Sequence, residues 1–380
     1  MTYRPKIYFT SNVFTSEELG SNEKINQEIR KEIKTLWERL NKISQSKIFK
    51  GRFPTESDLE KDIKNYNPDI IGCHLSHFIP KKIIESSNIF AICTSTVGYN
   101  HIQKPEKDNI IITHTPSVLY EAVADYTIAI ILANLRNIID LHKYVWEGKW
   151  DLTDKWDLDQ NLSSVMNNKT LGIVGMGEIG SELMKRLYPW NIKIKYYDII
   201  KRINLEKQYP NIEYIEKLEI LFQESDIISL HIPLNRYTEN LINRKLLKLM
   251  KKNSLLINTA RGGILNLDDL LDLFEKKEIH INLSFDVYPN EPLDHRTLMR
   301  FKHIKENQPE IRMILMPHNA SADADTRGKM NIMFLKDIIK IIESSNLEDL
   351  KNIHIIPEQK KILAKKEWKI QNYWKKKLKD

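Results

Sequence analysis

The sequence predicts an α/β protein of two lobes, each built on a doubly wound parallel sheet. Short β-rich apolar runs alternate with segments of helical spacing along most of the chain, and alternation of that length implies parallel strands covered on both faces. The 380 residues suffice for two cores of ordinary size. A helical run over residues 117–148, with no Pro and no interior Gly, divides the alternation into two stretches.

KIYFT (6–10), DIIGCH (69–74), IFAICTS (89–95) and IIITH (110–114) read as strands. The first two flank EKINQEIRKEIKTLWERLNKI, whose apolar positions recur at helical spacing. Residues 1–115 are therefore expected to form one parallel unit. The run 117–148 is expected to be one continuous helix of ~45 Å leading into the second lobe. From residue 169 the order is strand LGIVG, helix SELMKRLY, strand KIKYYD, strand DIISLHIP, helix RKLLKLM, strand SLLINTA, helix DDLLDLFEKK, strand INLSFDVY and strand MILMPH. A helical stretch beginning DTRGKMNIMFL returns the chain to the first lobe. The expected division is 1–115 plus 321–345 for one domain, 116–320 for the other, and 346–380 as a basic C-terminal extension.

Hydrophobic residues are 41% and charged residues 29%, a balance that excludes a disordered or membrane-embedded chain. The start lacks a secretory pattern and no window approaches ~18 uncharged apolar residues, so a cytoplasmic protein is expected. Cys73 and Cys93 each lie in an apolar run without metal-site spacing, which predicts buried, reduced thiols and no metal. The net charge of +7 belongs to the tail, where residues 351–380 hold 10 Lys against 3 acidic residues. Leu363, Ile370, Trp374 and Leu378 would line one face of a tail helix. Docking of that helix on its own protein is favoured over a site for an acidic partner or nucleic acid.

GMGEIG places Gly175, Gly177 and Gly180 in G-x-G-x-x-G spacing, directly after an apolar strand and directly before a helix. Gly175 would make the tight turn, Gly177 would admit a pyrophosphate to the backbone, and Gly180 would let helix and strand pack closely. The strand KIKYYD ends at Asp198, 21 residues past Gly177, where a carboxylate accepts from an adenosine ribose. This is a Rossmann-like arrangement for NAD. Asp198 would repel a 2′-phosphate, although Lys201 and Arg202 leave some room for NADP.

Three further strand ends carry charged groups amid apolar surroundings: Arg261 in INTARGG, Glu291 in DVYPNEP and His318 in MPHNAS. An arginine in a cleft suits a bidentate grip on a carboxylate, and a histidine paired with a carboxylate exchanges a proton near neutral pH. With a nicotinamide, the set describes hydride transfer at the alpha carbon of a 2-oxo or 2-hydroxy acid. His74, His77 and His101 read as structural or substrate-shaping, and Ser76 as pocket lining.

The sequence resembles the D-isomer-specific 2-hydroxyacid dehydrogenase family over residues 5–345. Besides GMGEIG, the likeness rests on TVGYNHI (96–102), TPSVLYEAVADYTIAIIL (115–132), SLHIPL (229–234), INTARGG, DVYPNEP and PHNA (317–320). It implies two Rossmann-like/flavodoxin-like lobes with the NAD-binding domain inserted in the substrate domain, cleft closure, and homodimerisation through the cofactor domain. It implies that Arg261, Glu291 and His318 are catalytic, and that Val97 and Gly98 present backbone N–H groups to the substrate carboxylate. Implied cofactor contacts are Glu178, Ile179, Asp198, His231, Pro233, Thr259, Ala260 and Asp286.

Within the resemblance, the chain is similar to glyoxylate/hydroxypyruvate reductases and to phosphoglycerate dehydrogenases, the latter through the proline of DVYPNEP. Glu291 argues against a formate dehydrogenase, while a phosphite-type dehydrogenase stays open. So does an NAD(H)-sensing, corepressor-like binding protein. The chain departs from the family in the run from Asn319 to Asp325 and at Asn282 and Leu283, where small residues are common.

Overall fold

The computed structural model describes residues 3–377 except 152 and 154–156. Two compact units emerge, one of residues 1–119 with 322–380 and one of residues 120–321.

The first unit holds β1 (Lys6–Phe9), β2 (Gln45–Ile48), β3 (Ile70–Cys73), β4 (Ala91–Thr94) and β5 (Ile111–Thr113), all parallel in the order β2-β1-β3-β4-β5. The central strands are buried along their whole length, so they read as unbroken apolar runs instead of alternating ones. β2 is the exception. Its sequence QSKI sits at the sheet edge with Gln45 exposed, and no hydrophobic run betrays it.

On one face lies the helix Gln27–Ile43, capped by the Asn26 side chain and burying Ile33, Leu36, Trp37 and Leu40 at helical spacing. The 20-residue helix Ala324–Glu343 packs beside it. Phe9, Phe14, Trp37 and Phe334 form the contact, with ring centroids 5.0 Å apart for Phe9 and Trp37 and 4.9 Å for Phe14 and Phe334. The unusual run before this helix has a local reason. The Asp323 side chain caps the helix through Thr326 N, and Asp325 accepts from Asn26 N at 2.6 Å, tying the two helix starts together.

The tail is no appendage. Leu350, Ile353, Ile355, Leu363, Trp368, Ile370, Tyr373 and Trp374 belong to the same buried cluster as β1 and β4. Residues 354–356 run along the open edge of β5, where His114 N donates to His354 O and Ile356 N to Ile112 O. That covers an edge which would otherwise expose unpaired backbone. Lys377 Nζ donates to the carbonyls of Ile342, Glu343 and Ser344, placing a cation on the negative end of the long helix. Of the expected apolar stripe, Leu363, Ile370 and Trp374 are buried; Leu378 lies outside the described residues.

The second unit holds β6 (Thr170–Val174), β7 (Lys193–Tyr197), β8 (Ile212–Tyr214), β9 (Ile227–Leu230), β10 (Leu255–Asn258), β11 (Asn282–Phe285) and β12 (Met313–Leu315). All are parallel in the order β12-β11-β10-β9-β6-β7-β8. The order reverses between β6 and β9, and ligands of open α/β sheets sit beyond the strand ends at such a point.

The expected continuous helix over 117–148 is two helices, Tyr120–Leu135 and Ile138–Trp146, bent by 63°. The break lies where Arg312 Nη1 donates to the carbonyls of Asn134 and Leu135, taking acceptors that a continuing helix would use. Asn137 then turns the chain at φ 52°, a conformation asparagine tolerates. Asn282, the polar departure in β11, is fully engaged: its side chain donates to Asn253 O and accepts from Arg312 N. Among the described residues, no single helix is long and apolar enough to cross a membrane.

Candidate functional site

The G-x-G-x-x-G loop follows β6 in the second unit. Gly175 adopts φ 98°, and a Cβ there would stand 2.6 Å from His231 O, so only glycine makes this turn. Gly177 opens the helix Glu178–Leu187, whose start no side chain caps, and a Cβ on it would meet nothing within 4 Å. At Gly180 a Cβ would lie 2.1 Å from Gly175 O, which enforces the close helix–strand packing. Glu178 is exposed and Ile179 half-buried at this N-terminus.

Asp198 stands directly after β7, only 9% exposed. Its Oδ2 accepts from Met176 N at 2.8 Å and from Arg202 Nη2 at 3.2 Å, and its Oδ1 accepts from Ile200 N. The carboxylate is thereby fixed to the glycine loop while Oδ1 keeps a lone pair. His231 follows β9 beside Gly175. Its Nε2 meets Ser229 Oγ at 2.8 Å, and its buried Nδ1 has no partner among the described residues. Burial pushes its pKa down to about 3, so the ring is neutral. An open backbone approach, an uncapped helix start, a fixed carboxylate and an orphaned ring nitrogen fit a dinucleotide. Pro233 is exposed just beyond, its carbonyl accepting from Thr238 Oγ1.

Arg261 follows β10. Asn258, at the strand end, organises this turn: its Nδ2 donates to Arg261 O and its Oδ1 accepts from Ala260 N. Asn258 was missed in the sequence, although an asparagine before a run of small residues is a turn signal. Thr259 is buried against Thr127, their hydroxyls 3.2 Å apart. Arg261 Nη1 donates to Ala260 O at 2.7 Å, and burial lowers its pKa against the opposing pull of Glu291. At Gly262 a Cβ would stand 1.8 Å from the Tyr288 carbonyl carbon. This contact clamps the arginine turn onto the loop that carries Glu291.

Glu291 and His318 meet directly. Nδ1–H of His318 donates to Glu291 Oε2 at 2.6 Å, and Glu291 Oε1 accepts from Tyr288 N at 2.9 Å. Burial pushes the Glu291 carboxyl up, but the His318 hydrogen bond, the Tyr288 N–H and the charges of His318 and Arg261 hold it below the usual carboxylate range. An ionised carboxylate only accepts, so the bond fixes the proton on Nδ1 and turns Nε2 outward from the pair. His318 stands at φ 53°, a left-handed backbone uncommon for histidine.

Asp286 holds that backbone. It is fully buried, with Oδ1 accepting from Asn319 N at 2.7 Å and Oδ2 from Ala320 N at 2.8 Å, while its carbonyl accepts from His318 N. Tyr126 OH donates to the same carboxylate. Asp286, expected as a cofactor contact, thus spends its carboxylate on the loop that presents His318. Burial raises its pKa, against those bonds.

In the first unit, Val97 and Gly98 lie on the loop after β4. Val97 O accepts from His114 Nδ1 at 2.9 Å and Gly98 O from Thr96 Oγ1 at 2.7 Å. Ser76 is exposed after β3. His77 is structural, held by Thr10 Oγ1 and Arg52 O, and His101 lies against Thr94 Oγ1 and Cys73 Sγ. Cys73 and Cys93 are free and buried, and burial pushes the Cys73 thiol up to about 12. No cluster of His, Cys, Asp and Glu among the described residues has the makings of a metal site.

Comparison with known proteins matches residues 128–320 to the family described as D-isomer specific 2-hydroxyacid dehydrogenase, NAD binding domain. A glyoxylate reductase of Thermofilum pendens is 34% identical over 307 residues, 80% of this chain and 86% of that protein. One from Korarchaeum cryptofilum is 35% identical over 246 residues, 64% of this chain and 70% of its own. Among solved structures, D-lactate dehydrogenase from Aquifex aeolicus complexed with NAD and lactic acid shares the fold, with a TM-score of 0.71 and 24% identity, covering 92% of this chain and 98% of that one. The glycine loop, the strand order and these matches agree: the chain belongs to the D-isomer-specific 2-hydroxyacid dehydrogenase family and is an NAD-dependent oxidoreductase.

Proposed function

We propose that this protein transfers hydride between NAD(H) and the alpha carbon of a small 2-oxo or D-2-hydroxy acid, glyoxylate being the first substrate to try. The His318–Glu291 pair at 2.6 Å carries the reading, set on a loop that Gly262 clamps to the arginine turn. NADH held at the glycine loop would supply the hydride. His318 Nε2 delivers the proton to the carbonyl oxygen and takes it back in the reverse direction. Glu291 holds the ring's tautomer and stabilises the imidazolium form, as a carboxylate does for a catalytic histidine. Arg261 binds the substrate carboxylate and polarises the carbonyl. Likeness to the family assigns the N–H groups of Val97 and Gly98 to the same carboxylate, and Ser76 to the pocket lining.

Glu178, Ile179, Pro233, Thr259 and Ala260 are proposed to surround the cofactor with the glycines, Asp198 and His231. The anchored Asp198 carboxylate favours NADH over NADPH by charge. A homodimer is supported by the exposed apolar side chains of the helix Ile138–Trp146, where Trp146 is 82%, Val145 53% and Ile138 50% exposed. The two reduced, buried thiols agree with a cytoplasmic setting. The test is turnover of a 2-oxo acid panel with NADH. His318→Ala should lower kcat by ~10²–10⁴-fold while NADH binding, read by fluorescence, stays intact. Tight NADH binding by the wild type without turnover on any substrate would favour a sensor instead.

A further inference from the structure

The loop Thr96–His101 is held from two sides within the first unit. From inside, Thr94 and Thr96 hydroxyls meet at 2.8 Å and Thr96 Oγ1 donates to Gly98 O. From outside, it is held by the tail. Tyr99 OH donates to Glu358 Oε2 at 2.9 Å, and Lys104 Nζ donates to the other oxygen of the same carboxylate while lying 5.6 Å from the Tyr99 ring centroid. The Tyr99 ring meets the His114 ring edge-on at 5.5 Å. His114 in turn links the loop to the tail, since Nδ1–H donates to Val97 O and its backbone N–H to His354 O. His354 is fixed by Asp337, a carboxylate 1% exposed on the long helix, at 3.0 Å.

The magnitudes show what such a latch can do. The Lys104 and Glu358 side chains are 33% and 46% exposed, and an ion pair so placed contributes at most ~1 kcal/mol to global stability. The tail is already anchored by its buried aromatic and aliphatic side chains, so the polar contacts are not needed to hold it down. Their remaining effect is local. They fix the peptide planes of residues 97–99, and loops of this kind open locally at small free-energy cost unless tied.

We infer that Glu358, with His354 behind His114, is a positioning residue that aims the Val97 and Gly98 N–H groups, so the C-terminal tail tunes affinity for the substrate carboxylate. This rests on the proposed assignment of those two N–H groups. A grip used equally in ground state and transition state appears in KM and not in kcat. Looser aim therefore weakens substrate binding without slowing turnover at saturation.

The test compares the full-length wild type, Glu358→Gln and Tyr99→Phe, singly and together. In the proteins without substrate, backbone amides of residues 96–101 should exchange hydrogen several-fold faster in each variant, with residues 170–187 unchanged and the global unfolding midpoint kept. With glyoxylate and saturating NADH, KM should rise ~3- to 10-fold with kcat within ~2-fold, and the double variant should be no worse than the worse single. Unchanged exchange in 96–101 overturns the latch. Faster exchange with KM unmoved overturns the link to substrate. Absence of wild-type turnover on any 2-oxo acid sinks the proposed function instead, and the exchange rates still decide whether the tail aims the loop.

Discussion

The two units are both parallel α/β sheets, yet they hold their functional loops by different means. In the second unit each loop is set by groups at neighbouring strand ends: Asn258 shapes the Arg261 turn, Asp286 the His318 turn, and Gly262 joins the arginine turn to the glutamate loop. In the first unit the loop of Val97 and Gly98 depends on residues some 250 positions later, His354 and Glu358. The geometry proposed for proton transfer thus sits where strand order supplies it, while the loop proposed for substrate recognition depends on a tail that returns to its own sheet.

The largest effect that would break this contrast is Trp374→Ala. Trp374 is 6% exposed, and its Nε1 donates to Ser344 Oγ at 3.0 Å. If the tail is core, urea unfolding should show a loss of about 3–5 kcal/mol; a loss under ~1 kcal/mol would make it the appendage its composition suggests. Next comes Gly262→Ala. The added methyl cannot fit 1.8 Å from the Tyr288 carbonyl carbon without separating the two loops. Expected are a destabilisation of about 1–3 kcal/mol and a loss in kcat/KM of ~10²-fold or more. Wild-type kinetics in this variant would show that the clamp does not set the site.

The last effect concerns pH. The His231 pKa is about 3 in the folded protein, against 6.5 for an ordinary histidine. Between these values the unfolded chain binds a proton that the native ring refuses, so stability falls as pH drops below 6.5. His231→Gln should flatten the dependence between pH 6 and pH 4 by about 1.4 kcal/mol per pH unit, measured by urea unfolding. Parallel curves for the two proteins would mean that the ring is solvated.

What was legible in the sequence follows the same division. GMGEIG, INTARGG, DVYPNEP and PHNA lie at strand ends, where local pattern and three-dimensional position coincide, and residues that lie together carry their roles in short motifs. Asp286 was visible as a residue of the site, but its hold on the Asn319 and Ala320 N–H groups joins positions more than 30 apart and shows only in the structure. The bend after Leu135 was hidden because its cause, the Arg312 guanidinium, is 177 residues away. The tail's docking was legible in its apolar stripe, but its depth in the core was not, because lysines dominate the composition while the buried Trp368, Tyr373 and Trp374 between them fix its place. β2 escaped because an edge strand needs no apolar run.

Glu291 is proposed to act through His318. The direct test is a double-mutant cycle on kcat with glyoxylate and NADH, comparing His318→Ala, Glu291→Gln and the double variant. If the hydrogen bond of 2.6 Å is the route, Glu291→Gln should cost ~10-fold or more alone and almost nothing once His318 is gone. Costs that simply multiply in the double variant would contradict it.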